Sequence, residues 1–252
     1  MIDMSGDLVS LRLLLIAASG PVHEIWREGT TQASVPIDFD AGDAADARVM
    51  LAKGGIDVCV LDAALSDDDK AAVIRSARKA KAPAPVIFMT APRGASSPEN
   101  IDGRLPKPAN AAQVRKLIEI CIRARMPTKV LIAGDSDTTR GILSKILKAS
   151  RFTLDVHEAL ESYAALSQLR AGQFGLVFLD RAMPGLNGAD TLMQIKREIS
   201  DLAIVVMATP QEGAAAGRSL SGTLALLKKP FYAADVDAVL KRYYGLHAFE
   251  AS

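Results

Sequence analysis

Short apolar runs alternate with amphipathic stretches along nearly the whole chain. Leu13–Ala18, Val58–Leu61 and Val86–Met89 are unbroken apolar runs, as are Val130–Ala133, Leu176–Leu179 and Ile204–Ala208. Runs this short, bounded by turn residues, read as strands buried on both faces. Between them apolar positions recur at helical spacing, as at Leu143, Ile146 and Leu147. The alternation predicts βαβ units and parallel sheets. Strands are expected near 11–18, 35–39, 57–62, 85–90 and 101–105, and again near 129–134, 152–157, 175–180, 202–208 and 223–228. In the second half, helices are expected near 137–149, 159–172, 188–199, 211–220 and 232–244.

The two halves repeat one plan. RLLLIAAS from Arg12 resembles KVLIAGDS from Lys129. IDVCVLDAAL from Ile56 resembles FGLVFLDRAM from Phe174. PVIFMTAP from Pro85 resembles AIVVMATP from Ala203, and LPKPANAAQV from Leu105 resembles KKPFYAADV from Lys228. Four matches in one order imply two α/β domains, residues 1–126 and 127–252, meeting near Met126-Pro127-Thr128. Each is expected to be a flavodoxin-like (βα)5 sandwich, its five-stranded parallel sheet in order 2-1-3-4-5. The first copy has a gap: GASSPENIDG is a poor helix sequence. Lys107 follows Thr90 by 17 residues, whereas Lys229 follows Thr209 by 20. Its fourth helix is expected to be truncated or lost.

Composition narrows the function classes. A hydrophobic share of 49% over 252 residues supports buried cores rather than disorder. A net charge of +1 gives no bulk attraction to nucleic acid or anionic membrane. The Arg78-Lys79-Ala80-Lys81 cluster reads as a solvated helix face. Cys59 and Cys121 read as reduced core residues. The start, MIDMSGDLVS, has no basic n-region, and Leu13–Ala18 is too short to span a bilayer. A soluble, cytoplasmic protein is expected.

Candidate chemistry collects at the strand ends of the second half. Strand one ends at Gly134-Asp135, strand three at Asp180, strand four at Ala208-Thr209 and strand five at Lys228-Lys229-Pro230. In a parallel sheet these ends converge on one edge. Paired carboxylates repel unless a cation lies between them. Mg2+ suits an oxygen-only site with few protein ligands and several waters. Lys229 and a hydroxyl can hold further phosphate oxygens. The set suits phosphoryl transfer onto Asp180, with Mg2+ and lysine neutralising charge. Counting along the strand puts Ala208 at the hydroxyl position, whereas the chemistry favours Thr209. No histidine or serine base is placed for hydrolysis.

Plainer roles account for other residues. Asp137 reads as a helix N-cap, and Asp67-Asp68-Asp69 as acids favoured by a helix dipole. Trp26 should pack its helix on the sheet. His23 and His157 read as surface or cap residues, and Tyr243-Tyr244 as core or interface residues. Asp62 alone reads as a turn or cap residue.

Both copies resemble receiver domains of bacterial two-component response regulators. The second carries Asp135, Asp180 followed by MPGLNG, and Lys229-Pro230. Asp135 and Asp180 lie 45 residues apart, and Asp180 and Lys229 lie 49 apart, close to the family's intervals. The resemblance implies that Asp180 accepts a phosphoryl group from a phosphohistidine on a sensor kinase or phosphotransfer protein. It implies Mg2+ held by Asp135, Asp180 and the Ala182 carbonyl, with Lys229 on the acyl phosphate. Receivers carry two adjacent acids after strand one, and here the first position is Gly134. In the first copy Asp62, Thr90 and Lys107 remain, but Ala17-Ala18-Ser19 replaces the acids, so a degenerate pseudo-receiver is expected.

The expected function is a tandem-receiver response regulator rather than an enzyme. The sequence continues about eight residues past its last expected helix. Output is therefore expected through protein contact or phosphorelay, without a DNA-binding or catalytic output domain and with homodimerisation. The alternative is a non-phosphorylated receiver-like scaffold. A flavodoxin-like ligand binder would need a glycine-rich phosphate loop, and Asp135-Ser136-Asp137 stands in its place.

Overall fold

Each half of the chain builds a five-stranded parallel sheet from its apolar runs. A computed structural model describes residues 10–80, 84–92, 98–183, 188–200, 202–212 and 221–246. The chain divides into two units, residues 10–126 together with 244–246, and residues 127–243.

The first unit runs β1 (Leu11–Ile16), α1 (Gly20–Thr30), β2 (Ile37–Gly42), α2 (Ala44–Lys53), β3 (Val58–Asp62), α3 (Asp67–Arg78), β4 (Val86–Ala91), β5 (Gly103–Pro106) and α4 (Ala111–Arg125). Its sheet order is β2-β1-β3-β4-β5, the expected flavodoxin-like order. The interior strands β3 and β4 are buried along their whole length, each large apolar side chain contributing about 1.5–3 kcal/mol. On one face, Ala47 and Leu51 of α2 and Val73, Ile74 and Ala77 of α3 pack over Leu14, Cys59, Leu61 and Met89. Elsewhere α1 meets α4 so closely that a Cβ on Gly29 would lie 2.6 Å from Val114 Cγ1. Ser66 caps α3 by accepting from the Asp69 amide, and Asp67, Asp68 and Asp69 occupy the first turn as expected.

The second unit runs β6 (Thr128–Ala133), α5 (Asp137–Lys148), β7 (Leu154–Ala159), α6 (Ser162–Ala171), β8 (Leu176–Asp180), α7 (Gly188–Glu198), β9 (Ala203–Ala208), β10 (Ala225–Lys228) and α8 (Ala233–Tyr243). Its order, β7-β6-β8-β9-β10, repeats that of the first unit. Ala165, Leu166, Leu192 and Ile195 of α6 and α7 cover Leu131, Val177, Leu179 and Val206.

The largest departures from expectation are at the edge strands. Both β2 and β7 begin and end later than their apolar residues suggest. Each pairs with only one neighbour and is half exposed, so register rather than apolarity sets its ends. The β1 and β6 ladders continue through Ala17 N to Gly42 O and Gly134 N to Ala159 O. A second correction concerns α5: its N-cap is Ser136, whose side chain accepts from the Thr139 amide. Asp137 is the first helical residue, and its carboxylate pairs with Arg140.

Between β4 and β5 the described residues, 92 and 98–102, form no helix. Pro184 to Asn187 and most of the expected 211–220 helix lie outside the described residues. Both cysteines are free and buried, and burial pushes the Cys59 thiol up to about 12. Among the described residues no helix is long and apolar enough to cross a membrane.

Candidate functional site

The end of β8 is the centre of the second unit's sheet edge, flanked by β6 and β9. Asp180 sits there with a side chain only 1% exposed. Its Oδ1 accepts the Ala182 amide at 3.0 Å, and its Oδ2 receives Lys229 Nζ at 2.5 Å. Lys229 is placed by its own backbone, whose amide continues the β10 ladder onto Ala208 O at 2.9 Å. A carboxylate removed from water needs this compensation.

Gly134, just past β6, lies against the same carboxylate. A Cβ there would be 3.1 Å from Asp180 Cβ and 3.4 Å from Asp180 Oδ2. The glycine therefore does more than omit an acid; it lets the β6 backbone close on Asp180. Gly134→Ala is expected to destabilise the second unit by about 1 kcal/mol through overpacking, read as a lower urea midpoint. An unchanged or raised midpoint would show that the contact has slack.

Asp135 follows on the turn, exposed, with no ion pair to the described residues. This turn is held by Arg140, a residue that sequence reasoning did not single out. Arg140 is 5% exposed. Its Nη1 donates to Gly134 O at 2.6 Å and its Nε to Glu158 Oε2 at 3.2 Å, while Nη2 pairs with Asp137. The repeat contained a signal: the matching residue of α1, His23, reaches back to Ala17 O with Nε2 at 2.8 Å. One helix position thus secures the carbonyl just past the first strand in both units.

Thr209 lies one residue beyond β9. The ladder pairs Asp180 with Met207, which is fully buried. Thr209 donates its amide and its hydroxyl to Glu212 Oε2, at 2.7 Å and 2.9 Å. The Glu212 amide returns a bond to Thr209 Oγ1 at 3.4 Å, a capping box opening the turn 210–212. The Thr209 amide and hydroxyl, helped by the charges of Lys229 and Arg181, hold the Glu212 carboxyl below its usual range.

The donors that could face a cation are all oxygens: the Asp135 and Asp180 carboxylates and the Ala182 carbonyl. The described residues contain no cluster of three acidic, histidine or cysteine side chains. Mg2+, which tolerates few protein ligands because it keeps its waters, fits such a set.

The first unit has the same frame with a different lining. Asp62 Oδ1 accepts the Ala64 amide at 3.0 Å and faces Lys107 Nζ at 3.4 Å. Thr90 pairs with Asp62 in the ladder, and its hydroxyl donates to Leu61 O at 3.3 Å. Val22, Ile25 and Trp26 of α1 close over these groups. They leave a cavity of about 10 Å3, room for about one water and not for a phosphoryl group.

Part of the chain is similar in sequence to known proteins. The pattern of the response regulator receiver domain family matches residues 130–241. Chemotaxis protein CheY-3 of Vibrio cholerae is 29% identical over 119 residues, 46% of this chain and 91% of that protein. A protein-glutamate methylesterase/protein-glutamine glutaminase 2 of Anaeromyxobacter dehalogenans is 33% identical over 111 residues, 44% of this chain. The chain spans only 32% of that relative's length. A solved structure described as a probable two-component system response regulator/GGDEF domain protein shares the fold at TM-score 0.58 and 18% identity, covering 96% of this chain and 100% of that one. The second unit of this chain, over residues 130–241, is a response regulator receiver domain.

Proposed function

We propose that the chain is a phosphorylation-controlled response regulator in which the second unit accepts a phosphoryl group on Asp180. The observation that carries this reading is the buried Asp180 carboxylate with Lys229 Nζ on one oxygen. A carboxylate oxygen attacks the phosphorus of a phosphohistidine on a sensor kinase or phosphotransfer protein. The P–N bond breaks, and its electron pair returns to the imidazole. Lys229 offsets charge on the acyl phosphate. The Ala182 amide orients the carboxylate, and Arg140 holds the turn that presents Asp135. Mg2+ on Asp135, Asp180 and the Ala182 carbonyl would supply further charge neutralisation.

The first unit is proposed as a pseudo-receiver, residues 1–126, because α1 closes over Asp62 and no acid follows β1. The second domain is proposed as residues 127–252. Output runs through protein contact or onward phosphotransfer, with a second copy of the chain as a further partner. A second reading, a scaffold never phosphorylated, draws on Gly134 and on Met207 opposite Asp180.

Intact mass after incubation with Mg2+ and acetyl phosphate separates the readings. One phosphoryl group is expected on the wild type and on Asp62→Asn, and none on Asp180→Asn. No gain on the wild type supports the scaffold. Equal gain on Asp180→Asn would overturn Asp180 as acceptor, and a halved gain on Asp62→Asn would overturn the pseudo-receiver.

A further inference from the structure

We infer that Glu212 is a positioning residue that restrains phosphorylation of Asp180, by occupying the Thr209 hydroxyl and keeping a negative charge at the rim where phosphoryl oxygens would gather. The inference rests on Asp180 being the phosphoacceptor.

The two units differ in the residue that the ladder sets opposite the acid. Opposite Asp62 the first unit has Thr90, whose carbonyl accepts the Ala63 amide. Opposite Asp180 the second unit has Met207, whose carbonyl accepts the Arg181 amide in the same way. The strand itself therefore offers no hydroxyl to the acceptor in the second unit. The hydroxyl that follows along the chain is Thr209, beyond the strand end, and Glu212 holds it. Glu212 Oε2 takes both donors of Thr209, its amide and its hydroxyl. Either donor could otherwise serve a phosphoryl oxygen.

Charge adds to geometry. Glu212 feels the same Lys229 that contacts Asp180 in the ground state, and also Arg181. A phosphoryl group on Asp180 would bring added negative charge towards this carboxylate, and like charges at short range oppose one another. Glu212 and the phosphoryl group therefore compete for one lysine and one threonine. Releasing Thr209 breaks the capping box, so the restraint is coupled to the first turn after β9.

Glu212→Gln separates the charge from helix capping, because a glutamine at this position can also close the capping box. The full chain is incubated with Mg2+ and acetyl phosphate, and the rate of phosphoryl gain is followed by intact mass. Glu212→Gln is expected to gain phosphate about three- to tenfold faster than wild type at low ionic strength. The difference should shrink as salt is raised, since screening acts on the charge and not on the cap. Thermal midpoints of the two proteins should agree. An equal or slower rate for Glu212→Gln at low salt, with wild type labelled, overturns the inference and leaves Asp180 as acceptor. Labelling of neither protein overturns Asp180 as acceptor and the inference with it.

Discussion

Lys229→Met is expected to cost the second unit about 3–5 kcal/mol of stability and to slow phosphoryl transfer to Asp180 by about a hundredfold or more. Both effects come from one contact. Asp180 is 1% exposed, Lys229 is 21% exposed, and Nζ lies 2.5 Å from Oδ2. Methionine fills much the same volume but brings no charge, so the Asp180 carboxylate stays buried with the Ala182 amide as a neutral donor. The cost is that of a lone buried charge, not the small net value of an ion pair in water. Two further variants isolate it. Lys229→Arg keeps the charge and should lose less. Asp180→Asn/Lys229→Met removes both charges and should recover most of the stability lost in Lys229→Met. Urea unfolding followed by circular dichroism reads the equilibrium term, and intact mass with acetyl phosphate reads the rate. A double variant no more stable than Lys229→Met would show that the lysine acts through its packing rather than its charge.

That contact was legible in the sequence to an unusual degree. Asp180 and Lys229 each end an apolar run, and a parallel sheet brings such ends to one edge whatever lies between them. The interior strands β3, β4 and β8 were legible for the same reason, since burial on both faces leaves continuous apolar runs. The limits of the edge strands β2 and β7 were less so, because IDFDAG and LDVHEA are half exposed and their ends follow the ladder to β1 and β6. Side-chain returns to the backbone were also missed. Arg140 reaching Gly134 O depends on a rotamer and a turn, and no periodicity encodes either. Thr209-Pro210-Gln211-Glu212 did carry a readable signature, threonine and glutamate at capping-box spacing before a helix. Its consequence was hidden until the ladder paired Asp180 with Met207, because a one-residue change of register decides which side chain faces the acceptor. Ser136, not Asp137, became the α5 cap because Asp137 is drawn into the Arg140 cluster.

Asp102→Ala is expected to destabilise the first unit by about 3–5 kcal/mol, because this residue ties the start of β5 to β4 and to the end of α3. Asp102 is 4% exposed. Its Oδ2 accepts the buried Ile87 amide at 2.7 Å and Arg78 Nη2 at 2.9 Å. Arg78 in turn donates to Pro85 O at 3.2 Å and to Asn100 O at 2.7 Å. A single guanidinium thus ties the end of α3, the approach to β4 and the turn before β5. Alanine would leave the Ile87 amide without this acceptor and the guanidinium without its counter-charge, and unmade buried bonds cost more than made ones contribute. Asp102→Asn retains an acceptor and should lose less. Arg78→Met takes the guanidinium from the buried carboxylate and should lose a similar amount to Asp102→Ala, and the two losses should not add in the double variant. Trp26 is the chain's single tryptophan and is 1% exposed within this unit, so its fluorescence reports unfolding of the first unit. An Asp102→Ala shift corresponding to less than about 1 kcal/mol would mean that water or backbone takes over the carboxylate's bonds. A full-sized shift with additive losses would mean that Asp102 acts independently of Arg78.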